Sequence, residues 1–230
     1  MRELLLVLCP SYKRPIEVGM LMRTFMDTVS EEWRSRIWIL VNSDERDRYW
    51  HEVDGDFGAV VPYSERPMIA RSNAGAVGAV GVCDYIGWVA DDNRFETPGW
   101  DEKVIAALQK TPVVFCNDVV SPGSKPSHVF MDSRIPKALG WFLHPDMRST
   151  FFDDVWHDLG KALGITYLDD VRIPHLYVEK DNREDFFHDM EVYQRWQRHD
   201  MEADIAKARA ALRPRRNSHR DARYPLASSK

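Results

Sequence analysis

Apolar runs that alternate with helix-patterned stretches constrain this chain more than any other feature. LLLVLCP (4–10), RIWILVN (36–42), GAVVPY (58–63) and CDYIGWVA (83–90) are short, apolar and bounded by turn residues, as buried strands are. Ile16 to Val29 carries apolar residues at helical spacing behind Pro15, which suits a first helical turn. Residues Asp47 to Glu52 read as a short helix, and Pro67 to Val82 as one rich in Ala and Gly. Strand–helix–strand repetition predicts an α/β domain, a mostly parallel, Rossmann-like sheet flanked by helices. In such sheets ligands sit outside the C-terminal ends of the strands. PSYKRP (10–15), NSDE (42–45) and ADDN (90–93) all fall there, so three polar loops converge on one edge.

Further along, Trp100 to Gln109 is helical, TPVVFCNDVV (111–120) is a strand and SPGSKPS (121–127) a loop. FFDDVWHDLGKAL (151–163) reads as a helix with its acids at the start, where the dipole favours them. Residues 164–181 hold two short strands, and Glu184 to Leu212 is a long polar helical stretch. The expected organisation is a domain over 1–183, a C-terminal helix over 184–212 and a basic, disordered tail over 213–230. Residues 205–230 carry eight Lys or Arg and one acid, Asp221, whereas residues 1–204 hold 23 basic against 35 acidic residues. An acidic body thus bears a basic tail, either solvated or a polyanion-binding arm. No run of about 18 apolar residues suggests a membrane span. The apolar start is too short for a signal peptide and lacks a cleavage site. Cys9, Cys83 and Cys116 each sit in or beside an apolar run and read as buried free thiols. A cytoplasmic protein with no membrane partner is expected.

The candidate chemistry lies in the polar loops. Asp91 and Asp92 put two negative charges side by side at the end of an apolar strand. A divalent cation answers that best, since hard cations take oxygen ligands and Mg²⁺ combines one or two carboxylates with substrate phosphates. The plain alternative is a solvated turn. Tyr12 with Lys13 and Arg14 suits a base to stack on and phosphate to neutralise, and Asp44 suits a base edge or ribose. Arg71 and Asn73 on a small-residue helix start suit a diphosphate. Gly75, Gly78 and Gly81 are not a GxGxxG fingerprint, and their spacing suggests close helix–sheet packing. Asp153 and Asp154 follow two Phe residues, and a carboxylate beside apolar surface can serve as a general base, or simply start a helix. His175, after Pro174, is either structural or a metal ligand, and His157 reads as surface.

Taken in order, these pieces resemble family 2 glycosyltransferases of the GT-A fold. ARSNAGAVGAVGVCDYIGWVADDN is similar to that family's Arg and Asn, small-residue helix, strand and metal-motif region. PSYKRP resembles its first nucleotide loop, NSDE its second, and FETPGWDE the segment after the metal motif. Where many members have Asp-x-Asp, this chain reads Ala90-Asp91-Asp92-Asn93, so Asp91 serves either the ribose or the metal. The resemblance implies an inverting transfer from a nucleotide diphosphate sugar, a UDP-sugar first among them. Asp92 and His175 would hold Mn²⁺ or Mg²⁺, a His ligand favouring Mn²⁺. Pro10, Tyr12, Arg14, Asp44, Arg71, Asn73, Asp91 and Lys180 would bind the donor. Asp154, with Asp153 beside it, would be the catalytic base. The compact form is most similar to phage-encoded members, which would work in a host cytoplasm. With the basic tail, that makes a hydroxyl on a modified DNA base one candidate acceptor, and a surface polysaccharide the other. A nucleotidyltransferase is the rival enzyme class, although PSYKRP has no Gly for its phosphate loop. A non-catalytic nucleotide-sugar or DNA binder is the rival outside enzymes.

Overall fold

The structure is a computed structural model, and it describes residues 4–43, 49, 52–53, 58–62, 68–176 and 183–213. Its strands are β1 (Leu5–Pro10), β2 (Ile37–Ser43), β3 (Gly58–Pro62), β4 (Tyr85–Trp88), β5 (Val113–Asn117), β6 (Val129–Asp132) and β7 (Ile165–Arg172). Its helices are α1 (Pro15–Thr28), α2 (Met68–Ala79), α3 (Trp100–Leu108), α4 (Arg134–Leu139), α5 (Phe152–Leu163), α6 (Arg183–His199) and α7 (Met201–Leu212). The strands form one sheet in the order β3-β2-β1-β4-β6-β5-β7. Among the described strands only β6 runs against its neighbours, and the other pairings are parallel.

Every residue of β1 is buried, with β2 and β4 parallel on either side of it. A strand covered on both faces cannot alternate polar with apolar, which is why LLVLCP is one continuous apolar run. Its side chains still alternate between two layers. Leu5, Val7 and Cys9 join α1 and α3 through Val18, Leu21, Phe25, Trp100 and Val104. Leu6 and Leu8 join the opposite layer, where α2 and α4 to α7 contribute Ile69, Ile135, Trp156, Trp196 and Ala208. From β1 the chain steps outward through β2 to β3, then returns to lay β4 on the other side of β1. That reversal opens a crevice between the carboxyl ends of β1 and β4.

The structure departs from the sequence expectations at the return strand with its short helix, at the C-terminal stretch and at the glycines. The return strand β6 and the short helix α4 were not foreseen. Gly87 makes room for β6: a Cβ there would come within 2.6 Å of the Phe130 ring. The polar stretch from residue 184 is two helices interrupted at Asp200. It is less polar than expected, since Trp196 is buried and donates from Nε1 to the buried Asp204 at 3.1 Å. The glycine spacing does not mark helix–sheet packing. Gly75 is buried, but Gly78 is exposed with open space around it and Gly81 makes a turn at φ +96°. In 164–181 one strand, β7, is followed by a single antiparallel bridge between His175 and Asn93. The expected second strand falls largely on residues outside those described, as do most of the 47–52 helix and the tail. The three cysteines are buried and unpaired, and no described helix is long and apolar enough to cross a membrane.

Candidate active site

The two acids at the end of β4 meet the loop that leaves β1. Ser11, next after Pro10, donates its hydroxyl to Asp91 Oδ2 at 2.7 Å. Arg14 reaches across the crevice: its Nη1 lies 2.6 Å from Asp91 Oδ1, and Nη1 and Nη2 each lie 3.3 Å from Asp92 Oδ2. A protein guanidinium therefore answers the paired charge for which the sequence suggests a metal ion. On its other side Asp92 Oδ1 faces His175 Nε2 at 3.0 Å. Buried Tyr49 braces the loop, accepting from the Arg14 amide at 2.9 Å and bonding Ser11 Oγ at 3.0 Å. Lys13 sits at φ +58°, a left-handed conformation that non-glycine residues hold only where the surroundings impose it.

Asp92 is further fixed from below. Asn93 accepts from the Ala90 amide at 2.7 Å and donates to the Pro174 carbonyl at 3.3 Å. Buried Arg94 donates Nη1 to the carbonyls of Asp91 and Asn93. Beyond it Phe95 and Trp100 pack with Phe25 and Phe130, at centroid separations of 4.6 to 5.8 Å. The FETPGW segment is thus the apolar anchor of the acid turn. The two carboxyls are driven apart in acidity. Burial pushes Asp91 up, and the Ser11 hydrogen bond and the Arg14 charge only partly offset it. Burial also raises Asp92, but His175 and Arg14 outweigh it and hold that carboxyl below the usual range.

The donor set of Asp92 and His175 fits a divalent ion. Asp92 Oδ1 and His175 Nε2, which contact each other at 3.0 Å, are an oxygen and a nitrogen donor of the kinds that Mn²⁺ accepts. Among the described residues no group of three or more His, Cys, Asp or Glu gathers to hold a metal. An ion here would draw its remaining ligands from substrate and water.

The second acid pair opens α5. Phe151, at φ +60°, turns the chain into the helix. Phe152 packs on Trp88, the last residue of β4, at 4.9 Å between ring centroids, which brings the start of α5 to the carboxyl end of β4. Asp154 Oδ1 is paired with Lys125 Nζ at 2.6 Å. Asp153 is pushed up to about 6, by burial first and then by the charge of Asp154. The turn before Phe151 is held by Asp189 of α6, which is fully buried. Its carboxylate accepts from the amides of Arg148, Ser149 and Thr150 at 2.8 to 2.9 Å and from the Thr150 hydroxyl at 3.0 Å.

The remaining candidates divide. Pro10, Tyr12, Arg14, Asp91, Asp92 and His175 come together around the β1–β4 crevice. Arg71 lies buried beneath them, donating Nη1 to the Ser11 carbonyl at 2.8 Å with its guanidinium 4.9 Å from the Tyr12 ring. Asn73 is committed elsewhere: its Oδ1 accepts from the Phe142 and Leu143 amides, and its Nδ2 donates to the Leu143 carbonyl. It clamps a loop onto α2. Asp44 and Lys180 lie outside the described residues. The sequence alone gives no role to Ser11, Tyr49, Lys125 or Asp189. Ser11 and Lys125 stood in loops already singled out, whereas nothing local distinguishes Tyr49 or Asp189.

The sheet order, the crevice at its reversal and the helices on both faces define a GT-A-type fold. No family model matches the sequence, and no curated protein does. Solved structures match by fold. One is S. aureus TarS 1-349 in complex with UDP-GlcNAc, at TM-score 0.63 and 12% identity, over 91% of this chain and 71% of that one. Another is the mannosyltransferase PcManGT from Pyrobaculum calidifontis in complex with GDP-Man and Mn²⁺, at TM-score 0.63 and 13% identity, over 92% and 74%. A longer TarS chain matches at TM-score 0.62 and 12% identity over 90% of this chain, which spans 43% of it.

Proposed function

We propose that this chain is a metal-dependent, inverting glycosyltransferase that moves a sugar from a nucleotide diphosphate sugar to an acceptor hydroxyl. The observation that carries the reading is that both acid pairs lie near the carboxyl end of β4. One pair, with His175, stands at the reversal crevice; the other opens α5 beside Trp88. The fold neighbours include one with UDP-GlcNAc and one with GDP-Man and Mn²⁺, which supports a nucleotide-sugar donor.

In this mechanism Tyr12 stacks on the base, over the guanidinium of Arg71. Asp44 bonds the edge of the base, and Lys180 adds positive charge at the diphosphate. Asp92 and His175 would hold Mn²⁺ or Mg²⁺ with Asp91 beside them, and the ion would offset the charge that grows on the leaving diphosphate. Asp154, oriented by Lys125, takes the proton of the acceptor hydroxyl as its oxygen bonds the anomeric carbon. The bond from that carbon to the diphosphate oxygen breaks on the opposite face, so configuration inverts and a nucleoside diphosphate leaves. The acceptor we assign is a hydroxyl on a modified DNA base, supported by the eight basic residues of 205–230 on an acidic body and by the resemblance to compact phage-encoded members.

Thermal unfolding with UDP and GDP, in Mn²⁺, Mg²⁺ or EDTA, tests the donor site. One nucleotide should raise the melting temperature in the presence of metal, by the equivalent of about 2.7 kcal/mol at a hundredfold excess over Kd. Equal stabilisation in EDTA, or full activity in Asp92→Ala, counts against the metal. Release of pyrophosphate instead of nucleoside diphosphate would identify a nucleotidyltransferase.

A further inference from the structure

The acid pair already has a cation. Arg14 spans both carboxylates, at 2.6 Å to Asp91 and 3.3 Å to Asp92, in a crevice whose acids are buried. A divalent ion arriving beside Asp92 would face a guanidinium within a few ångströms, a repulsion that weak screening in a half-buried site does little to relieve. Either the ion stays out or the guanidinium moves. The geometry says which partner is free to move. Asp91 is tied by Ser11, and Asp92 belongs to a turn stapled by Asn93 and Arg94. The Arg14 side chain is a quarter exposed, on a long flexible stem, and its backbone caps the first turn of α1. That 14-residue helix begins beside the same crevice, and a helix N-terminus favours a diphosphate; Glu17 in its first turn, 3.8 Å from Arg14 Nε, is a further anion for the guanidinium.

We propose that Arg14 is the resident counter-ion of the acid pair and competes with the divalent metal for it. A nucleoside diphosphate gives the guanidinium another anion to bind, and Arg14 then leaves the acids to the metal. Metal and nucleotide consequently bind as a coupled pair, each weak without the other. The inference rests on the proposed donor site, and it explains why a chain with few metal donors would take up the ion only together with substrate. Because linkage is reciprocal, the factor by which nucleotide tightens metal equals the factor by which metal tightens nucleotide.

The test is direct Mn²⁺ binding, read from loss of the free-ion electron paramagnetic resonance signal, with and without UDP or GDP. Without nucleotide, wild type should bind Mn²⁺ weakly and Arg14→Gln at least about tenfold more tightly, one unit of repulsive charge having gone. Arg14→Lys, which keeps the charge, should resemble wild type. With nucleotide, wild type should tighten at least about tenfold and Arg14→Gln much less. Arg14→Gln leaves two buried carboxylates short of a partner, so its melting temperature should fall and Mn²⁺ alone should restore it. In wild type Mn²⁺ alone should raise the melting temperature far less. Equal Mn²⁺ affinity in wild type and Arg14→Gln, with nucleotide-supported binding lost in Asp92→Asn, would overturn the competition and leave the metal site standing. No Mn²⁺ uptake by wild type even when nucleotide is bound would remove the metal site itself, and the proposal with it.

Discussion

Four aspartates in two adjacent pairs have four different environments, and the roles proposed for them rest on those differences. Asp154 is the proposed base, held by Lys125. Asp154→Asn keeps the shape and removes the basicity. Donor affinity, measured by calorimetry, should stay near wild type while turnover falls about 100-fold or more. Unchanged turnover would move the role to Asp153 or to His157. The pH profile gives a second reading. Asp153 ionises near 6 in the folded chain, so if it serves the reaction as a carboxylate, turnover rises through that pH and then levels. In Asp154→Asn the neighbouring charge is gone, so the Asp153 carboxyl loses its proton more easily and the rise in residual activity moves to lower pH. The same group affects stability in a defined direction. Unfolded, it loses its proton near 4; folded, near 6. Between those values the folded chain binds more protons, so this group's contribution to stability falls as pH rises. Adjacent like charges are visible in a sequence. Which cation answers them is not, because Arg14 stands 77 residues before Asp91.

At the scale of elements, legibility followed burial. β1, β2 and β4 are recognisable because a strand covered on both faces must be apolar throughout. Strand β6 has only four residues and pairs antiparallel with strands earlier in the chain, so no local period announces it. Helix α6 reads as polar because its buried residues are few and widely spaced, yet Asp189 on it organises the turn before the second acid pair. On the proposed mechanism that makes Asp189 a positioning residue. Asp189→Asn swaps one acceptor oxygen for a donor facing amide donors, and a buried amide left unpaired costs about 1–3 kcal/mol. Turnover should fall roughly tenfold with donor KM near wild type, the equivalent of about 1.4 kcal/mol on the barrier. Val192→Ala, in the core on the same helix, is the control. It should lower the melting temperature and leave turnover at 25 °C unchanged. If the two variants lose turnover in step with stability, Asp189 is only structural.

For the whole molecule the governing feature is charge. Residues 1–204 carry 12 more acids than bases, and residues 205–230 carry eight bases against one acid. An acidic body is repelled by DNA, so on the proposed acceptor this domain would need a cationic segment to hold DNA near its crevice. Arg213, Arg215, Arg216, Arg220 and Arg223 would supply one, and phosphate contacts of that type weaken steeply as salt rises. The acceptor hydroxyl would also have to leave the base stack or project from a groove to come within reach of the base at the start of α5. Incubation with UDP- and GDP-sugars and DNA containing hydroxymethylated pyrimidines, digestion to nucleosides and mass measurement test the acceptor. A hexose- or pentose-sized gain is expected, with activity that falls as salt is raised. Deleting residues 213–230 should raise the apparent KM for DNA and flatten that salt dependence, while sugar-nucleotide hydrolysis without acceptor stays the same. No mass gain with any donor would exclude this acceptor and favour a polysaccharide hydroxyl. Full activity and an unchanged salt slope after the deletion would mean that the basic residues play no part in docking DNA.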